Sequence, residues 1–346
     1  MNLLATLRSI LRGELVREPP RGATGVEFLL YGSPNDAFYS QIAFFRLSLD
    51  QLGEQGWAAR VVAVFAAVEC PSLPDRWAPY FDRIEVHYVS GETFRRKRPA
   101  SDQRFDLLSS DAQCSCLCDA DTVLVRPLPA DFLDELKRDP AVCGVVAHYP
   151  FPIEVDTRRP GMPGGIYPGM PHQAAWNALS ETILGRHILR PLRYTLVEGA
   201  TDNRCPFYIN YGFLAGPPAL LRRLYRTMSE IHPVLEGTLG GYFVAQISIA
   251  LAVELARIPW RALPMRFNFP NDRNADRLHA AELDRVVLIH YLRDKIFDRH
   301  RIFCQPASFD QFLSMTLEGS DRVFQDRVVQ ITDGRYPFGL SLSTPG

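Results

Sequence analysis

The sequence predicts an α/β fold, with one mostly parallel central sheet flanked by helices, and three observations carry that expectation. Apolar runs at residues 25–31, 59–65 and 84–88 alternate with helix-like stretches, the succession expected of a parallel, nucleotide-binding type of sheet. A further apolar run at residues 114–118 reads as a buried strand and ends on two acids one residue apart, Asp119 and Asp121. Finally, 346 residues at 47% hydrophobic and 22% charged suffice for one large domain or two small ones.

In chain order, residues 1–23 read as an N-terminal helix: Leu3, Leu4, Leu7, Ile10 and Leu11 recur at helical spacing, with Arg8, Arg12 and Arg17 elsewhere on it. A short basic amphipathic helix of this kind packs on the body of the protein or makes a weak membrane-surface contact. Residues 24–300 read as a single domain. Its first strand stops at Gly32 and Pro34, and Asp36 is the expected cap of a helix whose Ile42, Phe45, Leu49 and Leu52 share a face. A helix is predicted at 131–137 and a buried strand at 141–148. Residues 150–205 form an irregular region that opens with a Pro- and Gly-rich stretch at 150–171. A loop of that length is read as an acceptor site or lid. Helices are expected at 176–189, 217–231 and 240–258, and strands at 209–215, 263–269 and 286–290. Residues 301–346 read as a C-terminal extension with a helix at 309–317.

A net charge of −1 gives no reason to expect nucleic-acid binding. Seven cysteines are an odd number, and Cys114, Cys116 and Cys118 share one strand face, which argues against a disulfide framework. Their spacing does not suit zinc, and small buried hydrophobes are the expectation. Reduced thiols suggest a cytoplasmic protein. No apolar run approaches the roughly 20 residues that span a bilayer.

The chemistry gathers at one sheet edge. A buried strand that finishes in paired carboxylates carries charge that must be desolvated unless a cation or a donor array meets it. Mn²⁺ and Mg²⁺ take oxygen ligands, one or two carboxylates together with substrate phosphates, and Asp119-Ala120-Asp121 offers both carboxylates at a turn. Ligands of parallel sheets bind outside the carboxyl ends of the strands, where Tyr31, Gly32 and Ser33 also lie. His290 ends the apolar run at 286–289. If that strand is parallel to the first, its imidazole becomes a third ligand. Arg293 and Lys295, just beyond, can meet phosphate oxygens. Arg95, Arg96, Lys97, Arg98 and Arg104 form the densest basic run, and Arg104 is the member expected to reach a phosphate.

Cys-Asp-Ala-Asp-Thr-Val-Leu-Val-Arg-Pro-Leu, with Asp119 and Asp121, resembles the DxD motif of GT-A fold glycosyltransferases, and four later stretches resemble the retaining, glycogenin-like members in the same order. Tyr208-Ile-Asn-Tyr-Gly-Phe-Leu resembles their Asn-x-Gly strand, with Asn210. Tyr242-Phe-Val-Ala-Gln-Ile-Ser resembles the helix start bearing Gln246. Leu263-Pro-Met-Arg-Phe-Asn resembles the segment ending in Asn268, and Ile289-His-Tyr the strand end that supplies the metal-site His290. The resemblance spans about residues 24–300. It implies a GT-A fold and a metal site of Asp119, Asp121 and His290. It also implies a nucleotide-sugar donor, UDP-linked, with Asn210, Gln246 and Asn268 at the donor sugar and Asn210 and Gln246 in catalytic roles. Lys295 would meet phosphate, and the acceptor would be a glycan, a lipid-linked molecule or a protein. The chain departs from the pattern at Ala245, where the family has an acid, and in the spacing from His290 to Lys295.

Two other classes use the same features. A haloacid-dehalogenase-type phosphatase would make Asp119 the nucleophile and needs a later acidic strand end, for which Asp321 and Asp326 are the nearest acids. A non-catalytic sugar-nucleotide-binding protein with a degenerate transferase fold would account for Ala245.

Overall fold

The computed structural model of the protein describes residues 25–67, 72–89, 100–151, 171–199, 203–239 and 243–339. The expected N-terminal helix, the basic residues Arg95 to Arg98 and most of the loop at 150–171 lie outside the described residues.

In chain order the strands are β1 (Val26–Gly32), β2 (Arg60–Ala66), β3 (Glu85–Val89), β4 (Cys114–Asp119), β5 (Thr122–Leu124), β6 (Val142–Val146), β7 (Leu192–Arg193), β8 (Arg204–Cys205), β9 (Ile209–Gly216), β10 (Trp260–Leu263), β11 (Phe269–Pro270) and β12 (Leu288–His290). Seven of them form the central sheet, in the order β10-β6-β9-β4-β1-β2-β3. The β1–β2, β2–β3, β1–β4 and β6–β10 pairs are parallel, and β9 alone runs antiparallel, between β4 and β6. The fold is therefore mixed α/β with a large central sheet flanked by helices. Such strands must be apolar on both faces. Phe28, Leu29 and Leu30 of β1 and Cys116, Leu117 and Cys118 of β4 are all buried, and the three expected thiols are packing groups.

The helix Asp36–Asp50 follows β1 and is capped by Asn35, whose side-chain oxygen accepts from the Phe38 amide at 3.2 Å. The expectation that Asp36 caps it is corrected by one residue. The Asp36 carboxylate instead accepts from Trp77 Nε1 at 2.9 Å. On the other face lie the helices His172–Leu184, Pro218–Leu239 and Val244–Leu255. The last of these is apolar on nearly every side because the sheet and neighbouring helices cover it. No described helix is long and apolar enough to cross a membrane.

At Asp119 the chain leaves the large sheet. Strand β5 joins a second, three-stranded sheet of order β11-β12-β5. This small sheet is covered by the last helices, Pro306–Ser314 and Gly319–Thr332, whose Phe309, Phe312 and Phe324 share one buried cluster with Leu288 and Ile289 of β12. Phe303 stacks on Phe44 of the first helix at 3.9 Å, and Phe324 stacks on Tyr291 at 4.5 Å. Arg327 is buried and donates to the Leu124 carbonyl at 2.9 Å and to the Ser48 carbonyl at 2.7 Å; burial lowers its pKa to about 10.

Phe324→Ala should destabilise the whole domain by about 3–5 kcal/mol, the usual cost of emptying an aromatic core site. The check is a shift of a single cooperative urea transition; an unchanged midpoint would mean that the C-terminal helices form a separate unit.

Candidate metal centre

The site is built at the seam between the two sheets. Strand β4 is held centrally, with Asp119 paired to Tyr31 at the carboxyl end of parallel β1. A tight turn follows, closed by the Thr122 hydroxyl donating to the Asp119 carbonyl at 2.7 Å. Ala120 is buried, so the turn sends the two flanking carboxylates to the other side. Strand β12 pairs antiparallel with β5, placing His290 opposite Thr122, and the Tyr291 amide donates to the Asp121 carbonyl at 3.0 Å. The expected route for His290, a strand parallel to β4, is thus corrected. The imidazole arrives because the chain folds back after Asp121 and meets β12 in the second sheet.

The three side chains converge. His290 Nε2 lies 3.3 Å from Asp121 Oδ1 and 3.7 Å from Asp119 Oδ2, and one ligand atom from each residue falls within a common span of 4.8 Å. The His290 and Asp121 side chains are 6% and 15% exposed, and that of Asp119 is 34% exposed, so the group opens to solvent on the Asp119 side. Gly212 makes the fit possible. A Cβ there would come within 2.3 Å of His290 Cε1 and 2.5 Å of Nδ1, so only a glycine admits the ring. The Gly212 amide also donates to Asn210 Oδ1 at 2.9 Å.

Electrostatics separate the two acids. Burial raises the pKa of Asp119, with the Asp121 charge adding to it and His290, Arg104 and Arg299 opposing. Burial acts the same way on Asp121 but is overcome by the charge and hydrogen bond of His290 and by Arg299, leaving it at about 2. His290 is lowered by burial yet raised overall by Asp121 and Asp119. Two carboxylates and an imidazole, with an open side and more negative than positive demand, fit a divalent cation that accepts mixed oxygen and nitrogen ligands. Among the described residues this is the one group of His, Cys, Asp and Glu side chains so arranged. Asp321 is bonded to Asn271 and Asp326 to Arg322, so neither joins Asp119 as the phosphatase alternative requires.

The other expected site residues divide. Tyr31 is half-buried beside Asp119, and its phenol is raised by burial. Gly32 and Ser33 continue β1 outward at the same edge. Asn210 sits on β9 near the seam, and the bond from Gly212 leaves its amide nitrogen as the group it offers. Asn268 is fully buried just before β11, and neither its amide nitrogen nor its oxygen has a partner. Gln246 is half-buried in the first turn of Val244–Leu255. No described contact joins Gln246 to the triad. Arg104 was expected to reach a phosphate. It is fully buried in the short turn Ala100–Leu107 and donates to the Cys118 carbonyl at 2.7 Å, so it braces β4 from beneath and acts on Asp119 through its charge. Lys295 is exposed with no described contact to the triad. Arg299 stands where a cation was expected, its Nη1 donating to Asp121 Oδ2 at 2.5 Å. Arg299 lies in a run of alternating charges and carries no mark in the sequence that singles it out. For His148, buried at the end of β6, the signal existed: like His290, it is an imidazole closing an apolar strand.

No family model matches the chain, and no curated protein matches it. Several solved structures resemble it. The galactosyltransferase LgtC in complex with donor and acceptor sugar analogues is 14% identical, over 78% of this chain and 87% of that one, at a TM-score of 0.45. An active-site mutant of LgtC is 13% identical over 88% and 95%, at 0.49. Apo mouse xyloside xylosyltransferase 1 is 10% identical over 79% and 99%, at 0.45. All three are glycosyltransferases.

Gly212→Ala should displace the His290 ring and weaken Mn²⁺ binding by about 10- to 100-fold, as losing the support of a ligand does, while the thermal transition stays cooperative. Calorimetric titration of the metal checks this, and wild-type affinity would remove His290 from the site.

Proposed function

We propose that the chain is a metal-dependent glycosyltransferase of GT-A type, moving a sugar from a nucleoside-diphosphate donor, UDP-linked, to a hydroxylic acceptor. The observation that carries the reading is the convergence of Asp119, Asp121 and His290 at the carboxyl edge of parallel strands, the edge where such sheets bind nucleotides. The mixed carboxylate–imidazole set suits Mn²⁺ better than Mg²⁺, which demands oxygen ligands more strictly. When bound, that ion supplies charge neutralisation for the departing diphosphate.

The remaining roles fall to the chain. Tyr31, Gly32 and Ser33 would border the nucleotide. Arg299, already against Asp121 and about one-quarter exposed, would be the cation nearest the diphosphate. Asn210 and Gln246 would bond donor-sugar hydroxyls, and Asn268, a buried amide lacking partners, would complete that pocket. In the transfer the bond from the anomeric carbon to the diphosphate oxygen breaks, its electrons staying on that oxygen. A bond to the acceptor oxygen forms as the acceptor hydroxyl gives up its proton, which passes to the departing diphosphate oxygen. The free cysteines Cys114, Cys116, Cys118, Cys143, Cys205 and Cys304 favour a reducing, cytoplasmic setting. A binding-only role has one residue in its favour: Ala245, buried in the helix start, supplies no acid.

Asp119→Asn and Asp121→Asn should each lower Mn²⁺-dependent turnover or slow hydrolysis of UDP-hexoses by at least about 100-fold. Stability should change by no more than about 1 kcal/mol in Asp119→Asn, whose carboxylate is one-third exposed, and should fall by about 2–4 kcal/mol in Asp121→Asn, which strips a mostly buried carboxylate from Arg299 and His290. Product release followed in Mn²⁺ and in EDTA checks both. A mutant with wild-type metal-dependent turnover would sink the reading, and binding without any turnover in the wild type would favour the binding-only role.

A further inference from the structure

His148 carries an inference that the metal centre does not use. It lies just past β6, at the same carboxyl edge as Asp119, and is only 5% exposed. Its Nδ1 lies 2.9 Å from Thr195 Oγ1, and the Thr195 hydroxyl in turn donates to the Val146 carbonyl at 3.4 Å. A hydroxyl has one proton, so with that proton directed to Val146 the Thr195 oxygen accepts from His148 Nδ1–H. In that tautomer Nε2 is left with its lone pair. No partner reaches Nε2 among the described residues.

The arrangement is held from the backbone. The Thr195 amide donates to the Ala147 carbonyl and the Leu196 amide to the His148 carbonyl, both at 3.1 Å, so the 194–196 segment lies along the end of β6. The Thr195 carbonyl is itself 3.0 Å from His279 Nε2. Burial and then the positive charges of His290, Arg293 and His279 lower the pKa of His148 to about 3, so the ring stays neutral. A neutral imidazole this hard to protonate is a poor proton acceptor in a chemical step but a good hydrogen-bond acceptor. A buried lone pair without a donor is destabilising, and a ligand hydroxyl would recover that cost.

We propose that His148 Nε2 accepts a hydrogen bond from a hydroxyl of the transferred sugar, making His148 a residue that selects and positions the donor sugar. This rests on the transferase reading above. The group it recognises is a hydroxyl on a carbohydrate ring, since the cations around it would attract a phosphate to themselves and a bare lone pair repels one.

The experiment is calorimetric titration of the full chain, with Mn²⁺ present, by UDP and by the tightest binder among UDP-glucose, UDP-galactose and UDP-N-acetylglucosamine. His148→Asn places a donor where Nδ1 was and removes the acceptor at Nε2. His148→Gln restores an oxygen acceptor near Nε2. The expected result is that H148N leaves the Kd for UDP unchanged and weakens the UDP-sugar by about tenfold, with H148Q recovering to within roughly threefold of wild type. Hydrolysis of the UDP-sugar by H148N should show the loss in KM more than in kcat. Equal weakening of UDP and UDP-sugar would mean that His148 only holds the fold, and unchanged UDP-sugar binding would mean that water meets Nε2; either overturns the proposal. If wild-type protein binds neither UDP nor UDP-sugar, the transferase reading fails as well, and that failure is seen before any variant is made.

Discussion

The structure depends on keeping two carboxylates side by side at the end of a buried strand. Desolvating one carboxylate already costs several kcal/mol, and two together repel. Each neighbouring element supplies part of the compensation. Arg104 lies beneath, bonded to the β4 backbone; His290 arrives from the second sheet; Arg299 comes from the loop beyond it. The compensation is uneven, with Asp121 lowered to about 2 by His290 and Arg299 and Asp119 raised by its burial. That imbalance, with the open side at Asp119, is what a cation would relieve.

The need to bring His290 to this point explains the second sheet and the C-terminal helices. A strand of the large sheet could not deliver an imidazole against both acids, because its neighbours there are β1 and β9. The chain instead turns at Asp119, uses Thr122 to close the turn, and pairs β5 with β12. This small sheet has its own exposed face to cover, and Phe303, Phe309, Phe312 and Phe324 cover it. Residues near the chain end therefore belong to the foundations of the site, and Arg327 ties them to the backbone of β5 and of the first helix.

This division of labour also explains what could be read from the sequence. Asp119, Asp121 and His290 were legible because each ends an apolar run, and a polar residue that ends a buried strand must face an edge. Arg104 was legible as a cation near the acids but not as a buried one, since the periodicity of a short turn does not say which way its side chains point. Arg299 and Gly212 depend on contacts between segments far apart in the chain: Gly212 on β9 against a ring on β12, Arg299 against Asp121. The cap at Asn35 differs from the expected Asp36 because both are good capping residues, and Trp77, from a distant turn, claims the latter's carboxylate.

The opposite edge of the same strands shows what a carboxylate with a purely structural task looks like. Glu27, at the start of β1, is 1% exposed. It accepts from Arg60 at 2.5 Å, from the Ser115 hydroxyl at 2.5 Å and from the Ser109 amide at 2.9 and 3.2 Å, so its oxygens are saturated by β2, β4 and the turn before β4. At the other edge no described hydrogen bond reaches the Asp119 carboxylate, whose nearest opposite charge is His290 at 3.7 Å. The chain thus satisfies a buried acid completely when the acid serves the fold. A carboxylate half met, next to one strongly ionised, leaves room at that edge for a further positive group.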